Sequence, residues 1–347
     1  TDDMKSPDYW PVAQGKVCHV GDIVAVVVAD SRYVAADGAE GVVVDYSLLP
    51  AVISIEDAES DQVVIHEGLG TNVSYEWPLT PDPEGVEAAF ANATHHVTET
   101  YVHQRLIPAP MEPRGVAAVP APHNGDMTLY SSTQIPHILK VMAALTVGIP
   151  EHKMRVIAPS VGGGFGCKLG IYPEEILCLA LAVRHGVPVR WTEGRTEAAT
   201  ATIQGRAQRQ TIELAADENG KLLAVRATLL ADMGAYFQLI TPGVPLLGAF
   251  LFHGLYDVPL YSFTCKSVFT NLTPTDAYRG AGRPEATYAI ERAMDVLALA
   301  VGVEPDEIRS LNFIPTEKFP YDSPAGLVFD SGDYQPALDR AKELINW

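Results

Sequence analysis

Apolar positions recur along this chain with two different periods, and the change of period marks its elements. The β-branched run at 24–28 reads as a short buried strand. Asp30 and Ser31 then stand where a cap for a short helix at 32–35 is needed. The run at 41–46 reads as a second strand, and 48–51 as the loop leaving it. Period-two alternation at 96–102 predicts a half-buried strand, with further strands at 115–119, 127–130 and 154–159. Helical spacing takes over at 176–185, which stops at Gly186, and at 286–301, which stops at Gly302. Each of these is preceded by proline and glutamate, Pro173 with Glu174 and Glu175, then Pro284 with Glu285. Such residues satisfy a helix start, and glycine beyond the end satisfies its stop. A last amphipathic stretch covers 336–345. Pro78, Pro81 and Pro83 punctuate 61–90, which reads as a connector between a first unit, 1–60, and a second, 91–347.

The apolar stretch 239–255 is interrupted by Pro242, Gly243, Pro245, Gly248 and Gly254, so no membrane span is predicted. With 47% hydrophobic and 19% charged residues over 347 positions, the chain can bury a substantial core. A net charge of -19 repels phosphate backbones and argues against a nucleic-acid partner. Cys18, Cys167, Cys178 and Cys265 are scattered, with no C-x-x-C pair to hold zinc or iron–sulfur. They read as reduced thiols, which places the protein in the cytoplasm. The start, Thr1-Asp2-Asp3, has no signal-peptide pattern, and without an initiator Met the chain reads as beginning inside a longer one.

Two glycine-rich segments carry the chemistry. The first runs from Val161 through Gly162, Gly163, Gly164, Phe165 and Gly166 to Cys167 and Lys168, between the strand at 154–159 and the helix at 176–185. Consecutive glycines let the backbone approach a ligand and open N–H groups to an anion. A tight turn packing strand on helix accounts for it equally well. It fits neither the P-loop nor the dinucleotide pattern. The second runs from Ala277 through Tyr278, Arg279, Gly280, Ala281 and Gly282 to Arg283. Its guanidiniums suit phosphate or carboxylate, or are simply solvated. Other candidates carry less. His95 and His96 lie on opposite faces of a strand, so they share no metal with His103. Cys167 could be activated near a helix N-terminus, but it lacks the His/Asn context of a nucleophile. No G-x-S-x-G serine is present.

Taken together, these segments resemble the molybdenum hydroxylase family of xanthine dehydrogenases, aldehyde oxidases and aerobic carbon monoxide dehydrogenases. The stretch 161–168 resembles the family's G-G-G-F-G-x-K loop, and 276–288 its A-[YF]-R-G-x-G signature. Ser132-Thr133-Gln134 and Met111-Glu112-Pro113 resemble two further family motifs. Segments 20–25, 45–46 and 49–52 resemble the small domain that precedes them. The resemblance implies an α+β fold: the C-terminal part of a small α/β hammerhead-type domain, then the first half of a molybdenum-cofactor-binding domain with mixed sheets. It implies that Gln134 faces an oxygen ligand of molybdenum and that Gly163, Gly164, Phe165 and Gly166 line the cofactor. Arg279, Gly280 and Ala281 would form the loop over the metal. No side chain would ligate the metal, which the pterin dithiolene holds.

The implied cofactor is molybdopterin, in its cytosine dinucleotide form, with molybdenum. The implied reaction is hydroxylation of a carbon centre with oxygen from water. Electrons would pass to 2Fe-2S clusters on a small subunit and FAD on a medium subunit. The sequence also departs from family patterns. Copper-type carbon monoxide dehydrogenases carry a cysteine where Gly280 stands, and copper needs that thiolate. Purine-binding members carry a glutamate where Leu169 stands and an aromatic residue where Ala281 stands. An aldehyde or N-heterocycle is therefore the expected substrate class. Members of the family are about twice this long, and the general-base glutamate lies in their second half. Glu112, Glu174 and Glu285 are not assigned that role, so the chain is expected to be inactive without that half. The rival expectations are a copper-type carbon monoxide dehydrogenase and a non-catalytic remnant or scaffold.

Overall fold

A computed structural model describes residues 3–347. Its strands, in chain order, are β1 (Val73–Leu79), β2 (His95–Leu106), β3 (Gly115–Pro120), β4 (Met127–Ser131), β5 (Met154–Ile157) and β6 (Val189–Thr192). There follow β7 (Gly205–Ala216), β8 (Leu222–Asp232), β9 (Leu260–Val268), β10 (Tyr321–Asp322) and β11 (Val328–Phe329). The helices are α1 (Arg32–Glu40), α2 (Ile55–Ser60), α3 (Pro83–Asn92), α4 (Pro136–Val147) and α5 (Pro173–His185). After them come α6 (Arg195–Thr200), α7 (Gly243–Ala249), α8 (Arg283–Val301), α9 (Pro305–Asn312) and α10 (Gln335–Ile345).

Two mixed sheets organise the chain. The larger has the order β1-β9-β8-β7-β2, antiparallel except for the parallel pair β8/β9. The smaller has the order β5-β4-β3-β6, antiparallel except for the parallel pair β4/β5. An α+β fold with mixed sheets is what the sequence predicted. Each sheet has its own apolar core. Helix α8 packs on β2 and β7 through a stripe of Ala286, Ala289, Ile290, Ala293, Met294 and Leu297, spaced for one helix face. Its four buried alanines, at 286, 289, 293 and 298, keep that face flat. Fully burying Ile290, Met294 and Leu297 contributes about 1.5–3 kcal/mol each. The small sheet packs its Leu129 against Leu139 and Ala143 of α4 and Leu179 of α5.

Several expectations meet the structure with changes. Ser31 does cap α1, accepting from the Val34 N–H, and Gly186 and Gly302 close α5 and α8 in the left-handed conformation. The runs at 24–28 and 41–46 are not strands. Among the described residues no backbone forms a ladder with them, and Val28 and Val43 are 55% and 92% exposed. β-branched composition makes a strand only where a partner strand and a covering layer complete it. Residues 61–90 contain β1, an edge strand of the large sheet, and α3, which packs on β8 and β9. Among the described residues no helix is long and apolar enough to cross a membrane. All four cysteines are free and buried.

Candidate functional site

The parallel strands β4 and β5 end side by side, so their exits are delivered to one edge of the small sheet. From β4 comes Ser132-Thr133-Gln134, and from β5 the glycine loop. The two segments are tied together. The Gln134 N–H donates to the Lys168 carbonyl at 2.9 Å, and Gln134 Oε1 accepts from the N–H groups of Gly166 (3.0 Å) and Lys168 (3.3 Å). Only the amide oxygen can accept, so these bonds fix the side chain's orientation and leave Nε2 free to donate. A Cβ on Gly164 would lie 2.3 Å from Gln134 Oε1, so only glycine admits this approach.

Positive φ at Gly163 (+97°), Phe165 (+55°) and Gly166 (+107°) makes the loop a sharply turned segment. Those of Gly163, Gly164 and Phe165 have no acceptor among the described residues. Gly164 is itself buried, and a buried N–H without an acceptor is uncommon. Such a run of unpaired backbone donors suits an anionic, oxygen-rich group.

The second glycine segment packs directly on the first. The Arg279 N–H donates to the Phe165 carbonyl at 2.8 Å, and a Cβ on Gly166 would sit 1.9 Å from the Ala277 oxygen. Asp276 anchors the start of this segment, accepting from the N–H groups of Ala277 (2.5 Å) and Ile240 (3.2 Å) and from the Thr241 hydroxyl. Burial pushes the Asp276 carboxyl up to about 6, against the lowering effect of those donors. Gly280 (φ +103°), Ala281 (+44°) and Gly282 (+86°) then turn the chain into α8. Arg279, Arg283, Phe165 and Gln134 remain exposed. The structure brings Gln134, the loop 163–166 and the segment starting at Arg279 side by side.

A third component was not assigned a role in the sequence. Lys168, whose side chain is fully buried, pairs with Glu112 at 2.9 Å, and the same Glu112 oxygen accepts from the Gly162 N–H at 2.6 Å. Partial burial pushes the Glu112 carboxyl up, but the bonds from Lys168 and Gly162 outweigh it and hold it below the ordinary value. Behind it, buried Arg114 forks to both Glu174 oxygens at 3.0 Å and bonds Glu193 at 2.8 Å, while its guanidinium stacks 3.7 Å over the Tyr172 ring. This clamp fixes 110–114 beneath the first loop. The adjacent signal was Arg114 beside Met111-Glu112-Pro113, where a lone arginine gives no sequence hint of its partners.

The weaker candidates separate. His96 approaches Glu213 at 3.3 Å, and His103 bonds Gln210 at 3.1 Å. Cys167 is no activated thiol: burial pushes it up to about 11, and Lys168 beside it only partly offsets that. Glu174 is spent on Arg114 and Glu285 on Arg206, at 3.0 and 3.1 Å.

Known proteins share both the sequence and this arrangement. Residues 65–313 match the molybdopterin cofactor-binding domain family. The carbon monoxide dehydrogenase large chain of Hydrogenophaga pseudoflava is 38% identical over 93% of this chain and 42% of its own length. The 6-hydroxypseudooxynicotine dehydrogenase complex subunit gamma of Paenarthrobacter nicotinovorans is 33% identical over 97% of this chain and 42% of its own. The quinoline 2-oxidoreductase structure from Pseudomonas putida 86 superposes with a TM-score of 0.92 at 34% identity, covering 99% of this chain and 44% of that one. The chain thus spans a little over 40% of the length of these relatives. The chain belongs to the molybdopterin cofactor-binding domain family, within the molybdenum hydroxylases.

Proposed function

We propose that this chain forms one wall of the molybdenum site of a hydroxylase acting on an aldehyde or N-heterocyclic carbon. The observation that carries the reading is the run of unpaired N–H groups at Gly163, Gly164 and Phe165 beside Gln134, whose Nε2 is left to donate. These residues fit a pterin dithiolene cofactor: N–H donors meet its anionic oxygens, and the Gln134 amide meets an oxygen ligand of the metal. In the dinucleotide form the cofactor adds a pyrophosphate, which such donors also suit. When bound, it supplies a two-electron acceptor and activates water.

The chain's own part is positional. Gly164 and Gly166 bring backbone close to Gln134 and to the second segment. Arg279, Gly280 and Ala281 form the loop over the metal, where Ala281 leaves room for a ring or alkyl substrate. Residues 1–60 form the end of a small preceding domain, 61–90 lead from it, and 91–347 form the first cofactor-binding half. A second half supplies the general base, without which the chain is inactive, and FAD and 2Fe-2S subunits carry the electrons in the cytoplasm.

The copper-type alternative meets a steric objection. A side chain at Gly280 would start 2.3 Å from Pro284 Cγ in a left-handed backbone, and all four cysteines are buried elsewhere. The test is elemental mass spectrometry of the native protein expressed with molybdate. About one molybdenum per copy, with turnover of an aldehyde or N-heterocycle panel, supports the reading. No molybdenum in a preparation that retains its partners refutes it and leaves a scaffold.

A further inference from the structure

Beneath the second glycine segment lies an arginine that no motif singles out. Arg206, at the start of β7, is held with Ala207 in the left-handed region at φ +68° and +57°, which side chains other than glycine rarely adopt. This unusual backbone turns the Arg206 side chain under the segment. Its guanidinium donates to the Arg279 carbonyl at 3.0 Å and the Tyr278 carbonyl at 3.5 Å. It also pairs with Glu285 at 3.1 Å and lies 4.7 Å over the Tyr278 ring. Glu285 is buried in the first turn of α8, and its second oxygen has no partner among the described residues. Arg206 is therefore the one cation that compensates this carboxylate within hydrogen-bonding range among the described residues.

The consequence follows from peptide geometry. In a trans peptide the C=O and the next N–H point in opposite directions. Drawing the Arg279 carbonyl inward therefore turns the Gly280 N–H outward, and that N–H has no acceptor among the described residues. The Tyr278 carbonyl accepts from the Ala281 N–H at 2.7 Å as well as from Arg206 at 3.5 Å, and the next N–H, that of Arg279, holds the Phe165 carbonyl at 2.8 Å. Arg206 thus sets the Arg279–Gly280 peptide plane and shares the Tyr278–Arg279 plane with the Ala281 turn, and through Phe165 it couples the second segment to the first.

We propose that Arg206, oriented by Glu285, is a positioning residue for the cofactor: it aims the Gly280 N–H at the cofactor and locks the two glycine loops together. The inference rests on the function proposed above. Lysine keeps the charge but cannot fork to two carbonyls. The test compares native wild-type protein with R206K, E285Q and a control, R105K. Arg105 is a half-buried arginine that bonds Asp232 at 2.7 Å and the Thr273 carbonyl at 2.6 Å and makes no bond to either loop.

Two readouts are needed. Hydrogen exchange over 276–283 should accelerate roughly tenfold in R206K and E285Q, the size expected for losing a charged hydrogen bond. In R105K that segment should stay at the wild-type rate. Release of pterin and molybdenum from the folded protein should accelerate by a similar factor in R206K alone or with E285Q, and not in R105K. Wild-type exchange and release rates in R206K overturn the inference, even if its melting temperature falls. Equal acceleration in R105K also overturns it, because the effect is then general loosening. A wild-type protein without molybdenum refutes the function proposed above, and takes the cofactor role of Arg206 with it.

Discussion

Gly166→Ala isolates how far the site depends on two backbones touching. The added Cβ would lie 1.9 Å from the Ala277 carbonyl oxygen and 2.6 Å from its carbon, and neither is the end of a flexible side chain. The φ of +107° is a conformation that alanine adopts only under strain, about 1–3 kcal/mol. Forcing the segments apart adds an overpacking cost of about 1–3 kcal/mol. It also endangers the Arg279 to Phe165 hydrogen bond, worth about 0.5–1.5 kcal/mol. The sum is about 2.5–7.5 kcal/mol. For a chain of 347 residues unfolding as one unit, 1 kcal/mol lowers Tm by about 1.4 °C, so the expected loss is about 3.5–10 °C. Gly148→Ala is the matched control. Its φ is also positive, +78°, but no atom lies within 4 Å of the new Cβ, so only about 1 kcal/mol, or about 1–2 °C, is expected. Scanning calorimetry of both variants decides. A Gly166→Ala Tm within a degree of the Gly148→Ala value would mean that the loops are not in obligatory contact, and the account of the site would be wrong.

Other consequences can be measured. Glu112→Gln leaves the buried Lys168 ammonium without its carboxylate and should cost about 2 kcal/mol, read by denaturant titration at neutral pH. Because the Glu112 carboxyl is held below its ordinary value, its contribution is present above the unfolded value and disappears as pH falls through the depressed one. The difference between wild type and Glu112→Gln should therefore shrink in acid, and a constant difference would contradict the pairing. Asp276 behaves in the opposite sense: with its carboxyl raised from 3.8 to about 6, wild type should lose up to about 3 kcal/mol relative to Asp276→Asn as pH rises between those values. Parallel pH profiles for the two proteins would contradict the burial of that carboxylate. Finally, a thiol reagent should label none of the four cysteines in the native protein at neutral pH and all four after denaturation, and rapid native labelling of Cys167 would restore the activated-thiol idea.

Local punctuation and motif composition were legible in the sequence. Proline and glutamate in the first turns of α5 and α8, glycine after them, and the alternation in β2 are short-range signals, and each element formed where they stood. The two glycine segments were legible too, because their residue types follow from what backbone contact demands, whereas Gln134 was named only through the resemblance to a family motif. Strands β7, β8 and β9 escaped the pattern. Parts of them are buried on both faces, as at the consecutive Leu214, Ala215 and Ala216, so period-two alternation is blurred. The Asn219-Gly220 pair between β7 and β8 was the available clue, with Gly220 at φ +87°. The runs near 24–28 and 41–46 failed for the converse reason: their composition is right, but no ladder partner is present among the described residues. What only the tertiary structure decided is which distant groups meet. The Lys168–Glu112 pair, the Arg114 clamp and the Arg206 fork join residues 56 to 79 positions apart. Charge and hydrogen-bonding capacity are properties of a residue, and the sequence states them; the partner that satisfies a buried group is a property of the fold.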